Sequence, residues 1–173
     1  MKIDTQKLSF RLLREDAVPT LLDIQEEAFE AAKGDTDFLR RNTAETLAPC
    51  FLGNSRVLGV FFEGECAAFG ILHAAGEGKE NLAYDVDCID DVLSSANVKL
   101  IIVRPAYRGN GIQRILIEKL EKCAKEMGYA WLCATVAPTN RYSLDNFLKT
   151  GFAEHKILQK YGGLCRALLI KKI

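Results

Sequence analysis

The stretch VRPAYRGNGIQR, Val103–Arg114, joins the apolar run NVKLIIV (Asn97–Val103) to a segment in which Ile112, Leu116, Leu120, Ala124 and Met127 recur mostly every fourth residue. A short, nearly uninterrupted apolar run is the pattern of a central strand covered on both faces, and the four-residue step is that of a helix. Gly128 stops the helix in the usual C′ position, and YAWLCATV, Tyr129–Val136, is again strand-like. Strand, helix and strand in this order form a crossover unit, which places its two strands parallel. That unit narrows the chain to folds that mix helices with a sheet containing a parallel pair.

The remaining segments extend this core on both sides. Leu8–Leu13 reads as a strand, and AVPTLLDIQEEAFEAAK carries Val18, Leu21, Leu22, Gln25, Ala28, Phe29 and Ala32 at helical spacing, so a helix is expected to end near Gly34. Asn42 followed by Glu45 has the spacing of a capping box and predicts a shorter second helix. SRVLGVFFEGECAAFGILHAA predicts an antiparallel hairpin turning at Glu63-Gly64. Residues 76–96 are polar and acidic with little period and read as a long loop, a feature that is often functional in a compact domain. Pro138 breaks the strand ending at Val136, RYSLDNFLKT predicts a short helix ended by Gly151, and Phe152–Tyr161 and Leu164–Ile170 flank Gly162-Gly163 as a closing hairpin.

With 173 residues and 49% hydrophobic composition, the chain can bury one good core, and residues 1–173 are expected to form a single domain. The first residues lack an apolar stretch of signal-peptide length, and no window holds the roughly 18 or more uncharged apolar residues of a membrane span, so a cytoplasmic protein without membrane association is expected. The six cysteines show no CxxC or metal-finger spacing and read as reduced core thiols. Only two histidines are present, so no multi-histidine metal site is expected. The net charge of zero is divided: residues 1–96 hold 9 Lys+Arg and 18 Asp+Glu, and residues 97–173 hold 14 and 5. Either the basic half meets an anion and the acidic half a cation, or the two halves attract each other.

A strand running through Arg-Gly-x-Gly directly into a helix exposes unpaired backbone N–H groups at the positive end of that helix, an arrangement suited to phosphate. Gly109 and Gly111 permit positive φ and keep side chains away from an anion on the main chain, while Arg108 and Arg114 add charge. No GxxxxGK[ST] run occurs, and a GxGxxG fingerprint starting at Gly109 would end on the bulky Arg114. A glycine turn without ligand is the plain alternative.

VRPAYRGNGIQ resembles the acetyl-CoA loop of the GNAT superfamily of N-acetyltransferases, V-x-P-x-Y-R-G-x-G-I with Arg-x-x-Gly-x-Gly/Ala at its centre. Arg108 and Gly111 match the first two fixed places, and Gln113 stands at the third, where Gly or Ala is usual and some members carry Gln. NRYSLDNFLKTGF resembles the superfamily segment N-x-x-[AS]-x-x-x-[YF]-x-x-x-G-F, with Asn140, Ser143, Phe147, Gly151 and Phe152 in register. The resemblance implies a mixed α/β (α+β) fold: a mostly antiparallel central sheet of about seven strands with a parallel central pair, flanked by about four helices.

The resemblance also implies acetyl-CoA as co-substrate and transfer of its acetyl group to a primary amine by direct attack, on a small-molecule or peptide acceptor. The main-chain N–H groups of Arg108, Gly109, Asn110, Gly111, Ile112 and Gln113 would hold the pyrophosphate, and the main chain at Ile101 and Val103 would pair with the pantetheine arm. Asn140 matches a residue that often contacts pantetheine, with helix capping as its alternative. Phe147 sits where a side chain approaches the thioester sulfur, with core packing as its alternative. The Val103 N–H is the implied oxyanion donor. Many relatives carry Tyr at the Phe147 position, which leaves Tyr142 as the candidate general acid, or a plain surface tyrosine. For the base, Lys99 stands where several relatives carry an acidic residue on the central strand, and the loop carboxylates Asp85, Asp87, Asp90 and Asp91 are the alternatives, with a solvated charge run as the plain reading of the loop.

Because Phe147 and Lys99 replace the usual reactive groups, a non-catalytic acyl-CoA-binding module is the second reading. Nucleic-acid binding lacks the interleaved aromatics and dense basic stripe it requires. The residues do not specify the acceptor or the oligomeric state, and they leave a homodimer open.

Overall fold

The structure is a computed structural model that describes residues 1–33, 35 and 37–173. Its seven strands are β1 (Ser9–Leu12), β2 (Arg56–Phe62), β3 (Glu65–His73), β4 (Ser95–Val103), β5 (Trp131–Val136), β6 (Ala153–Lys160) and β7 (Leu164–Lys172). They form one sheet in the order β1-β2-β3-β4-β5-β7-β6. All neighbours are antiparallel except β4 and β5, which are parallel as the crossover requires. The helices are α1 (Val18–Ala31), α2 (Ala44–Leu47), α3 (Ile112–Glu126) and α4 (Arg141–Lys149). Gly34, the position expected to end the first helix, lies outside the described residues. No helix among the described residues is long and apolar enough to cross a membrane.

Alternation along the strands separates two layers of core. On one face, α3 and α4 bury Leu116, Ile117, Leu120, Leu144 and Phe147 against Leu58, Val60, Leu72, Val98, Leu132 and Leu169. On the other, α1 and α2 bury Leu21, Ile24, Ala28 and Leu47 against Val57, Phe69, Ile71 and Ile102. Each fully buried aliphatic side chain of α3 contributes roughly 1.5–3 kcal/mol, so the helix that opens at Gly111 is held firmly on the sheet.

The loop expected at 76–96 spans 74–94 and is better packed than its polar composition suggests. Leu82, Ala83, Val86 and Ile89 are buried against Cys133 and Leu168, covering the β5–β7 part of the sheet that α1 and α2 do not reach. Two 3₁₀ turns, Leu82–Asp85 and Val92–Ser94, give it local structure, and Ser95 and Ala96 already belong to β4. Four apolar contacts without a period leave little pattern in the sequence.

Two further expectations are corrected. The cap of α2 is Thr43, whose Oγ1 accepts from Thr46 N at 3.4 Å while Thr46 Oγ1 accepts from Thr43 N at 2.8 Å. Asn42 is instead buried, its main chain held by Gln25 of α1 through Asn42 N to Oε1 at 2.8 Å and Nε2 to Asn42 O at 3.0 Å. A buried amide that can satisfy a neighbouring main chain outcompetes a cap on a four-residue helix. All six cysteines are free, but only Cys50, Cys66 and Cys133 are buried, while Cys88 and Cys165 are exposed. Burial pushes the Cys133 thiol up to about 12, which makes it inert near neutral pH.

Candidate active site

The loop between β4 and α3 is anchored from beneath by side chains outside the glycine motif. Tyr107 is buried and donates its hydroxyl proton to Glu65 Oε2 at 2.5 Å. Arg104 donates from Nε to Cys66 O at 2.7 Å and forms an ion pair with Glu27 of α1. The Asn110 side chain donates to Tyr107 O at 2.9 Å and accepts from Ile3 N at 3.1 Å. These contacts hold a main-chain curve in which Gly109 and Gly111 have φ of +80° and +74°. A Cβ at 109 would meet nothing within 4 Å, so its glycine answers to backbone conformation and the space above it, not to packing.

Among the described residues, no protein acceptor takes the main-chain N–H groups of residues 109–113, and the helical ladder starts only with Ile115 N donating to Gly111 O at 3.2 Å. These unpaired donors at the N-terminus of the 15-residue α3 form an anion cradle. The Arg108 N–H is less free, since it lies 3.3 Å from Pro105 O. Gln113 turns its side chain away from the cradle: Nε2 donates to Ser143 Oγ at 2.8 Å and Oε1 accepts from Asn146 Nδ2 at 2.9 Å, tying α3 to α4.

Beside the cradle the sheet opens. The β4–β5 ladder runs only from Ser95↔Trp131 to Asn97↔Cys133, and beyond it the two strands part. Arg104 N donates to Ala67 O at 2.9 Å, which makes Ile102 and Phe69 a hydrogen-bonded pair and turns the main-chain groups of Ile101 and Val103 away from β3, into the gap. Val103 O is met there by Arg108 Nε at 3.3 Å. The gap thus offers an extended ligand strand-like hydrogen-bond partners, adjacent to the cradle in the chain.

The second helix motif is placed differently residue by residue. Asn140 caps α4, its Oδ1 accepting from Ser143 N at 3.2 Å. Phe147 is 4% exposed and packs edge-on to Phe152 with ring centroids 5.0 Å apart. Tyr142 is 88% exposed.

Where β4 and β5 part, a cavity of about 130 Å³ is bordered by Asn97–Leu100, Thr135, Ala137, the 38–42 segment, His73, Glu80, Tyr161 and Arg166. Tyr142 does not border it; Tyr161 does, with its hydroxyl 3.0 Å from Thr135 Oγ1. Tyr161 has φ +55°, a strained conformation for a bulky residue, of the kind that collects at functional sites. Of the carboxylates considered from sequence, Asp85 pairs with Lys160, Asp87 faces His155 and Lys156 at 3.7 and 3.8 Å, and Asp91 caps a 3₁₀ turn. None of them borders the cavity, whereas Lys99 does and donates to Thr46 O at 3.3 Å. The charge division between the two halves is therefore spent in part on mutual contacts, Arg104 with Glu27 included.

Glu80 is the carboxylate of the cavity wall, and it leans on His73. Ser55 Oγ accepts from Ala74 N at 3.0 Å and lies 3.1 Å from His73 Nδ1, while His73 Nε2 lies 3.2 Å from Glu80 Oε1. Burial favours the neutral imidazole, pushing the His73 pKa down against the pull of Glu80; in that form Nε2–H donates to Glu80 and Nδ1 accepts from Ser55. Glu80 is held below the ordinary carboxylate range first by its own main-chain N–H, then by His73 and Lys99, with burial opposing. A depressed folded-state pKa means that the unfolded chain takes up the histidine proton first, so stability present above about pH 6.5 is lost as the pH falls below it. The melting temperature should drop between pH 7.5 and 5.5, and His73→Asn should flatten that slope; an unchanged slope would refute the neutral assignment.

His73 ends β3 while Tyr161 and Arg166 lie on the β6–β7 hairpin, and no motif joins them. The one signal of Arg166 is a lone charge in the apolar run LCRALLI.

No curated protein matches the sequence significantly. Solved structures match its fold over nearly the full chain. The ribosomal-protein-alanine N-acetyltransferase of Brucella melitensis superposes with a TM-score of 0.72 at 22% identity, covering 95% of this chain and 99% of that one. The ribosomal-protein-S18-alanine N-acetyltransferase of Escherichia coli gives 0.72 at 20% identity, covering 96% and 93%. An aminoglycoside acetyltransferase solved with coenzyme A and kanamycin gives 0.70 at 12% identity, covering 95% and 94%. The family profile described as Acetyltransferase (GNAT) family matches residues 18–152, across the crossover, the glycine cradle and α4, and the chain belongs to that family.

Proposed function

We propose that residues 1–173 act as one acetyltransferase domain that moves the acetyl group of acetyl-CoA to a primary amine. The observation that carries this reading is the continuity of cradle, strand gap and cavity along β4. Main-chain donors at 109–113 suit a pyrophosphate, Ile101 and Val103 suit a pantetheine arm, and both lead to a cavity holding one carboxylate. Acetyl-CoA supplies the activated acyl group as a thioester. Coenzyme A in the solved aminoglycoside acetyltransferase supports the choice of co-substrate. The free state of all six thiols supports a cytoplasmic location.

The roles of this chain's residues follow from their surroundings. Glu80, ionised and half exposed, attracts the acceptor ammonium and takes up its proton, directly or through water. The neutral nitrogen then bonds to the acyl carbon and sheds its second proton to solvent as the carbon–sulfur bond breaks. The Val103 N–H faces the gap and donates to the carbonyl oxygen as it gains charge. Tyr161 O–H, on the cavity wall, returns a proton to the departing thiolate in place of the exposed Tyr142.

The test is acetyl-CoA titration by calorimetry followed by amine-dependent thiol release. Binding together with release that needs an added amine is expected. Binding without release by any amine would favour an acyl-CoA sensor instead. Tyr161→Phe should lower kcat about 10- to 100-fold with little change in acetyl-CoA affinity, and Tyr142→Phe should leave kcat close to wild type; the reverse pattern would restore Tyr142 as the acid.

A further inference from the structure

We infer that the acceptor is a zwitterion: an amine that carries a carboxylate close by, in the manner of a free α-amino acid. This rests on the acetyltransferase reading above and specifies its substrate class. The charge of the cavity wall opposes what the acidic N-terminal half suggests. Three cationic side chains, Arg40, Lys99 and Arg166, border the cavity against the single carboxylate of Glu80.

Arg166 carries most of the inference. It is 4% exposed, on the inner part of β7, and buried guanidinium groups are normally paired. Among the described residues no carboxylate lies within 4 Å of it, and its hydrogen bond is a single one, from Nη1 to Cys165 O at 2.8 Å. The other donors of its planar fork are left for what enters the cavity, and that fork matches a carboxylate two bonds at a time. Lys99 hydrogen-bonds a main-chain carbonyl and shares the wall with Glu80 without pairing to it within 4 Å, and Arg40 lies over the Tyr161 ring at 4.7 Å with no acid in ion-pair reach among the described residues. A polyamine or other purely cationic acceptor would set its charges against these three.

The other end of the ligand is equally defined. Among the described residues Glu80 is the only acid on the wall and is kept ionised, so it receives the ammonium, while the guanidinium of Arg166 receives the carboxylate. The cavity, at about 130 Å³, is well below the roughly 300–1,000 Å³ of pockets that enclose drug-sized molecules. It therefore takes a small molecule or the end of a larger one. A peptide N-terminus offers the ammonium without the adjacent carboxylate, and so satisfies Glu80 alone.

The test compares acceptors that differ only at the carboxylate: a panel of free α-amino acids, their amides, the matching amines without the carboxyl carbon, and a polyamine. Acetyl-CoA consumption is read together with thermal stabilisation of the CoA-loaded protein by each compound. At least one amino acid should exceed its amide by about 10- to 100-fold in kcat/KM. Arg166→Met should erase that preference while leaving acetyl-CoA affinity unchanged. Should Arg166→Met fail to fold, Lys99→Met reduces the preference and serves as the second variant. Amides, decarboxylated amines or the polyamine consumed as well as the acids would overturn the inference. If no compound supports turnover but an amino acid stabilises the protein more than its amide, in a manner lost in the variants, the transfer reading fails and the zwitterion site stands. If neither turnover nor selective stabilisation occurs, the site itself is rejected.

Discussion

Gly111→Ala should weaken acetyl-CoA binding at least about 100-fold and also lower stability by about 1–2 kcal/mol, the cost of holding an L-residue in the left-handed region. Gly111 has φ +74° and is the residue on which α3 opens. The added methyl would lie within a turn of the unpaired N–H groups of residues 109–113, 4.0 Å from Arg114 Nη2, beside the proposed pyrophosphate site. Strain and obstruction can be told apart by a matched control. Gly64, in the β2–β3 turn, has φ +90° and nothing within 4 Å of an added Cβ. Gly64→Ala should carry a similar stability loss with acetyl-CoA affinity unaltered. Calorimetric titration and thermal melts of both variants decide the matter. Equal losses of affinity in the two would mean that the cradle acts through stability and not through contact with the ligand.

Leu116→Ala should destabilise the protein by roughly 3–5 kcal/mol, the range for deleting a fully buried leucine where the surroundings cannot collapse. Leu116 is 0% exposed in the layer between α3 and the sheet. Its Cδ2 would lie 3.3 Å from a Cβ on Gly70, and Leu120 Cδ1 only 3.0 Å, so the helix rests directly on a glycine of β3 and has little room to shift. At roughly 2–4 °C per kcal/mol for a chain of this size, the melting temperature should fall by about 6–20 °C. Because α3 carries the cradle at its first turn, acetyl-CoA should restore part of the lost stability by mass action. A drop below about 1 kcal/mol would show that α3 is held mainly by its ends, through Gln113 to α4 and Glu121 to Lys171, which lie 2.5 Å apart.

What could be read from the sequence by itself was whatever depends on neighbours along the chain. The crossover from Asn97 to Val136 follows from periods and stops, and its parallel strand pair is observed. The hairpin at Glu63-Gly64 and the closing hairpin at Gly162-Gly163 follow from turn residues between β-rich runs, and both pairings are present. The cradle was legible for the same reason, since positive φ at Gly109 and Gly111 and a helix start immediately after them are local requirements written in local residues.

Tertiary structure decided what depends on segments far apart in the chain. The packed loop over Cys133 and Leu168, Asn42 held by Gln25 instead of capping, and Gln113 bonded to Ser143 each required a partner more than about a dozen residues away. The cavity proposed for the acceptor is the extreme case, because His73, Glu80, Lys99, Tyr161 and Arg166 meet only once the sheet order and the parting of β4 from β5 are set. Summed charge over half a chain pointed toward a cationic acceptor, whereas the few charges that line the cavity point to an anion as well. Coulomb interactions fall off over a Debye length of about 8–10 Å in physiological salt, so the groups brought into the wall by folding, and not the composition of the segment they come from, determine what the site attracts.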